Sequence, residues 1–228
     1  MQKTTKFISF ILLFTSVFLT SCSSDDGESN GTSTGNYWPM AVNNSWLFDN
    51  NGTSEETKIL GTNSFGGKTY YRLNDIYTYG VYVKNWVIKK GATYFQKVDD
   101  VTVIEQGVSI NFKTYELPLF RDDLNVGEQW SGTVKTKISY TYNGETVTPS
   151  SKIEYIGTVL EKNATVTLNG NTYDDVIKVR VITKVTIDTQ ITTTTSEFWF
   201  ANEVGPIREY TNDSGTIAEQ TLISYTLY

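Results

Sequence analysis

From Tyr37 to the C-terminus, apolar and polar positions repeat every second residue. Val134, Thr136, Ile138, Tyr140 and Tyr142 alternate with Thr133, Lys135, Lys137, Ser139 and Thr141. Ile177, Val179, Val181, Val185 and Ile187 alternate with Lys178, Arg180, Lys184 and Thr186, interrupted at Ile182 and Thr183. Successive side chains of a strand point to opposite faces, so this pattern predicts strands with one buried and one wet face, as in antiparallel sheets. Asn143-Gly144 and Asn169-Gly170 fall between such runs. A two-residue hairpin turn needs positive φ at both central positions, which Asn and Gly tolerate. Gly66-Gly67 and the stretches 49–52 and 213–215 give the same signal more weakly. No stretch beyond about two turns carries the 3.6-residue helical period. The pattern predicts an all-β, mostly antiparallel domain.

Some strands carry apolar residues on both faces. In the run from Tyr79 to Ile88, Tyr79, Val81, Val83 and Val87 share one face, and Tyr82, Trp86 and Ile88 the other. Phe198-Trp199-Phe200 repeats the feature. This predicts a single curved sheet or half-barrel wrapped around a core, or alternatively a β-sandwich. Such a concavity is either filled by its own side chains or open to a ligand. In the second case Tyr82, Trp86 and Trp199 are the candidate binding residues, because aromatic faces stack on sugars and line apolar pockets.

There is also an internal echo. Residues 40–46 (Met-Ala-Val-Asn-Asn-Ser-Trp) are similar to 124–130 (Leu-Asn-Val-Gly-Glu-Gln-Trp), and Gly67-Lys68-Thr69-Tyr70 to Gly170-Asn171-Thr172-Tyr173. Two related halves, 37–118 and 119–228, would produce it; so would the shared grammar of turn followed by strand.

The first residues read as an address rather than as fold. Lys3 and Lys6 precede a mostly apolar run, Phe7 to Leu19, short of the roughly 20 residues a spanning helix needs. Leu19-Thr20-Ser21-Cys22 resembles the lipobox of bacterial lipoprotein signal peptides. That resemblance implies a leader over 1–21 and acyl chains on Cys22, the membrane partner being reached through this anchor. More than one chain is needed for firm anchoring. Ser23 to Asn36 contains no apolar residue, so nothing offsets the entropy of ordering it. Residues 22–36 are therefore read as lipidated cysteine plus flexible tether, with an r.m.s. reach of about 20 Å. Residues 37–228 form the domain. The Ser-Ser-Asp-Asp run after Cys22 resembles the export signal of Bacteroidota-type lipoproteins, which implies the outer membrane and its outer surface; ordinary linker polarity explains the run equally well.

Composition narrows the chemistry. The chain has 228 residues, no histidine and one cysteine. Histidine-dependent nucleophiles, histidine metal sites and internal disulfides are thereby excluded. The net charge of −6 argues against nucleic acid as a partner. Acid pairs at Glu55-Glu56, Asp99-Asp100, Asp122-Asp123 and Asp174-Asp175 are read as turn chemistry. Neighbours on a strand face opposite ways, and glycoside hydrolysis needs two carboxyls facing one bond. No calcium loop or phosphate loop is present, and Ser150-Ser151-Lys152 is the one local serine–lysine juxtaposition. No catalytic residue, metal site or cofactor is expected.

Tyr37-Trp38-Pro39-Met40-Ala41-Val42-Asn43-Asn44-Ser45-Trp46-Leu47-Phe48-Asp49 resembles the opening phrase of a large group of uncharacterised Bacteroidota-type lipoproteins, with Asn43 in place of a usual glycine. Residues 198–210 resemble a later phrase of that group, with Glu203 and Pro206 departing from it, and Leu222-Ile223-Ser224-Tyr225 its last strand. The resemblance implies a curved β-sheet of lipoprotein-carrier type and no particular activity. The expectation is thus an outer-membrane lipoprotein. It acts as a binding module for an apolar or glycan ligand, or alternatively as an interaction component for an envelope protein, engaged through an aromatic patch or an unpaired edge such as Thr192 to Thr195.

Overall fold

A computed structural model of the chain describes residues 31–228 apart from Tyr79 and Ser214. Cys22 and the leader lie outside the described residues.

The alternating runs form strands as expected. In the first half these are β1 (Ser45–Asn50), β2 (Thr53–Phe65), β3 (Lys68–Leu73), β4 (Ile76–Thr78), β5 (Val81–Val83), β6 (Asn85–Lys90), β7 (Thr93–Val98), β8 (Val101–Glu105), β9 (Val108–Phe112) and β10 (Tyr115–Arg121). The second half contains β11 (Gln129–Lys135), β12 (Ile138–Tyr142), β13 (Glu145–Val147), β14 (Ser151–Leu168), β15 (Asn171–Ile187), β16 (Gln190–Ala201), β17 (Gly205–Asp213) and β18 (Thr216–Thr226). Asn143-Gly144 and Asn169-Gly170 both adopt the paired positive φ angles, 49° and 83° in the first case and 49° and 81° in the second, that the hairpins require.

Twelve strands make one antiparallel sheet in the order β10-β7-β6-β3-β2-β1-β18-β17-β16-β15-β14-β11. It is the curved single sheet, not the sandwich. The order resolves into two six-stranded meanders, β1-β2-β3-β6-β7-β10 and β11-β14-β15-β16-β17-β18, joined where β1 pairs with β18. At the far edges β10 approaches β11, so the sheet nearly closes into a barrel. The echo noted in the sequence falls on equivalent places: Trp46 and Trp130 open the first strand of each meander, and Tyr70 and Tyr173 lie in the third. Their faces differ, because Tyr173 joins the interior cluster and Tyr70 an outer one. The β8–β9 and β12–β13 hairpins pair through β9 and β12 into a four-stranded sheet, tying together the neighbours of the two barrel edges.

Inside, rings from both meanders meet. Tyr94 of β7 stacks on Phe120 of β10 at 4.2 Å, and Phe120 stacks on Phe200 of β16 at 4.0 Å. Trp38 packs edge-on to Trp46 and against Phe200. These side chains are almost wholly buried, and burial on this scale dominates the stability of such a domain. Gly157 is fixed by the same packing, since a Cβ there would lie 2.0 Å from Trp130 Cε2.

Three readings of the sequence need correction. The run from Tyr79 to Ile88 is not one strand: β5 leaves to pair with β4 in a separate hairpin, and only β6 enters the barrel. Its doubled apolar pattern therefore came from two elements. Thr192 to Thr195 is not an unpaired edge, because β16 pairs with β15 along that run and with β17 from Thr194. Finally, residues 33–36, read as tether, are strapped to the domain by hydrogen bonds. They are too polar to advertise burial, yet their donors and acceptors find fixed partners.

Candidate functional site

One end of the barrel is crossed by the strap of residues 33–36, the closed end, and the other carries no such strap among the described residues, the open end. At the closed end the strap crosses the seam between β10 and β11. Asp122, fully buried in the loop after β10, takes a hydrogen bond from Ser33 Oγ at 2.7 Å and one from the Thr34 amide at 3.0 Å. Lys89 Nζ of β6 lies 3.3 Å from its carboxylate, and Lys162 Nζ of β14 donates to its backbone carbonyl at 2.7 Å. One aspartate thus gathers the strap and both sides of the seam. The strap continues with Asn36, whose amide donates to Asn202 Oδ1 at 2.8 Å. The Tyr37 amide donates to the Tyr94 hydroxyl, and the Tyr37 hydroxyl to Asp175 Oδ1 at 2.9 Å. Burial and the neighbouring Asp175 push the Tyr37 phenol far above its ordinary range, so it stays a donor at every ordinary pH. A cavity of about 720 Å³ adjoins this end, lined among others by Trp38, Met40, Tyr71 and Ile88. Of its lysines, Lys89 is engaged with Asp122 and Lys90 with Glu116.

The other half of the interior is different. A cavity of about 640 Å³ opens between Phe48, Leu73, Leu119, Phe198 and Phe200, with Trp38 forming the wall it shares with the closed end. Polar side chains interrupt that apolar lining. Glu209 of β17 sits cross-strand from Phe198 on one side and Gln220 on the other. Gln220 Nε2 donates to Glu209 Oε2 at 2.8 Å. Burial raises the Glu209 carboxyl above its ordinary value of 4.5, and the Gln220 bond opposes that only in part. Gln96 and Asn85 face the same space, 3.3 Å apart. Ile76 and Tyr77 of the β4–β5 hairpin stand at the mouth, mostly exposed. The Trp38 indole N–H is buried with no acceptor among the described residues.

The three candidate residues do not come together. Tyr82 lies on the β4–β5 hairpin, 71% exposed, with its ring 4.9 Å from Tyr77 at the cavity mouth. Trp86 points away from the interior. It is buried in a cluster with Tyr70 and Ile88 on the outer face, donates to Asn63 Oδ1 at 2.8 Å, and is covered by the Arg72 guanidinium 5.3 Å from its ring. Trp199 is held between Lys178 and Arg208 of the two flanking strands, 4.4 and 4.5 Å from its ring. None of the three lines either cavity described here. A tryptophan whose face is covered by its own protein's cations has no free face to offer a sugar.

What sequence reading missed is Glu209, Gln220 and Gln96. A signal existed: the period that turns Ile207 inward turns Glu209 inward as well. The acid pairs also sort differently from the expectation. Glu55-Glu56 lies within β2 at the cavity, and Asp174-Asp175 within β15, not at turns. Ser151 and Lys152 are no catalytic pair, since Ser151 Oγ donates to the Thr136 carbonyl at 2.8 Å and Lys152 pairs with Glu154 at 3.0 Å. Among the described residues no group of acidic side chains is arranged to hold a metal ion.

No protein-family model and no curated protein matches the chain. Two solved structures are similar to it. One is a "putative lipoprotein" from Parabacteroides distasonis, 12% identical, covering 86% of this chain and all of its own, with a TM-score of 0.46. The other is a "putative exported protein with YmcC-like fold" from Bacteroides fragilis, 9% identical, covering 83% of this chain and 98% of its own, with a TM-score of 0.45. At this level of similarity the fold rests on the strand pairing described above, and neither structure speaks to a ligand.

Proposed function

We propose that this protein is a lipid-anchored outer-membrane lipoprotein whose barrel is a non-catalytic binding module, holding an apolar portion of a small ligand in the open interior cavity. The supporting observation is that cavity itself: about 640 Å³, within the usual range of small-molecule sites, with an apolar wall of Phe48, Leu73, Leu119, Phe198 and Phe200 beside polar side chains that include Gln96, Glu209 and Gln220. The apolar reading is preferred to a glycan because Trp86 and Trp199, the candidate sugar platforms, are covered. An envelope protein seated on the four-stranded sheet is a second reading, favoured by the exposure of Ile104 and Val147.

The test is direct. The apolar fluorophore N-phenyl-1-naphthylamine should brighten on binding the purified protein, and Gln96→Trp, which fills the cavity, should abolish the signal while leaving the thermal transition in place. Equal binding by both proteins would place the fluorophore elsewhere and defeat the reading. Cys22→Ala should move the protein from the membrane to the soluble fraction; unchanged fractionation would refute the anchor.

A further inference from the structure

The charges around the open cavity are not balanced. Its lining includes four carboxylates, Glu55, Glu56, Asp75 and Glu209, and one cation, Arg208. Asp75 is engaged by Arg72, and Arg208 is engaged by Glu219 at 2.7 Å. That leaves Glu55 and Glu56 of β2 and Glu209 of β17 with no lysine or arginine in ion-pair contact among the described residues. On the strands paired with β17 the groups beside Glu209 are neutral, Phe198 of β16 and Gln220 of β18; elsewhere on the same lining stand Gln96 of β7 and the acids Glu55 and Glu56 of β2. Glu209 is the deepest of the three acids. A carboxyl in an apolar wall costs stability when ionised unless a counter-charge arrives with it. Among the described residues Glu209 receives one side-chain hydrogen bond, from Gln220, and no cation.

We infer that the open cavity selects a ligand carrying a protonated amine, whose ammonium sits against Glu209 while its apolar part lies between Phe48, Phe198 and Leu119. The inference rests on the binding-module reading above and names the ligand class for that same site. Occupation by the amine draws the Glu209 proton off to solvent, so ligand affinity rises with pH through the range where this carboxyl titrates. The amine keeps its own proton throughout that range, and the buried pair then forms a charge-assisted hydrogen bond. An anionic ligand meets the Glu209 carboxylate with no cation beside it and is rejected.

The experiment is calorimetric titration of the purified protein with three probes that share one body and differ in the head group: 4-phenylbutylamine, 4-phenylbutanol and 4-phenylbutyrate. At about pH 7 the amine should bind about tenfold or more tighter than the alcohol, and the carboxylate most weakly. Glu209→Gln should bring amine and alcohol to within about threefold of each other, chiefly through loss of amine affinity. With the unaltered protein, amine affinity should fall as pH is lowered from 7 to 4 while alcohol affinity stays level, which keeps the test independent of how the variant folds. Equal binding of amine and alcohol, or a preference that survives Glu209→Gln, would overturn this inference and leave the binding module standing. Failure of all three probes to bind would remove both.

Discussion

The two ends of the barrel are built from the same strands, yet they treat polar groups in opposite ways. At the closed end each buried charge has an answer: Asp122 faces Ser33, the Thr34 amide and Lys89, and Asp175 accepts from Tyr37 and Asn202. The rings there are in contact, with Phe120 stacked on both sides. At the open end Phe48, Leu119 and Phe198 border the cavity, and among the described residues Glu209 has only the Gln220 amide. The physics separates them: where buried charges meet partners within the chain and rings stack on rings, the region is holding the fold together. Where a buried carboxyl has no counter-charge and an apolar wall borders open space, there is room for something else.

Substitutions at the two ends should therefore separate by size. Phe120→Ala removes the middle of the interior stack and should cost about 3–5 kcal/mol, whereas Leu119→Ala, one residue away but bordering a cavity that already exists, should cost no more than about 1.5 kcal/mol. Urea unfolding reads both; comparable losses would erase the distinction. Asp122→Ala removes the counter-charge of Lys89 and the acceptor of the Thr34 amide, and should cost about 2–4 kcal/mol, below the value for a fully buried pair because Lys89 is partly exposed and keeps the Gly35 carbonyl. A chain that begins at Gly31 should be as stable as one carrying the whole tether. One that begins at Tyr37 should lose about 1–3 kcal/mol, since it forfeits the hydrogen bonds of residues 33–36. If the two truncations melt together, those bonds contribute nothing.

The smallest effect is expected at the open end. Glu209 binds its proton more tightly folded than unfolded, so the folded state gains from it at low pH and loses that gain as pH rises from about 4.5 through its raised value. Glu209→Gln should flatten that part of the stability–pH curve and leave the protein as stable as the parent, or slightly more so, near neutrality. Unfolding curves at a series of pH values check this; a variant clearly less stable at neutral pH would assign Glu209 to the framework.

Much of the architecture was legible because one face of each strand is buried, and burial writes a period of two into the chain. The hairpins at Asn143-Gly144 and Asn169-Gly170 were legible because so few residues tolerate positive φ twice in succession. The two meanders showed through the matched Trp46 and Trp130. Other features leave no such mark. The strap is held by backbone and short polar side chains whose partner, Asp122, lies 88 positions away from Thr34, and polar composition reads the same whether its hydrogen bonds go to water or to protein. Tyr82, Trp86 and Trp199 were singled out because aromatic area on a second face suggests a site; in the folded chain Arg72, Lys178 and Arg208 cover two of them from neighbouring strands. Pairings between strands decide this, and a single strand does not display them. Glu209 shows the converse, since in sequence a glutamate between Arg208 and Tyr210 looks like surface.

The most direct measurement is mass spectrometry of the small molecules released from the protein after gentle extraction from its own membrane, beside the same preparation of Gln96→Trp. An amine-bearing, partly apolar molecule near one per chain in the parent and lost in the variant is the predicted result. Equal amounts released from both proteins, or none from either, would contradict the account.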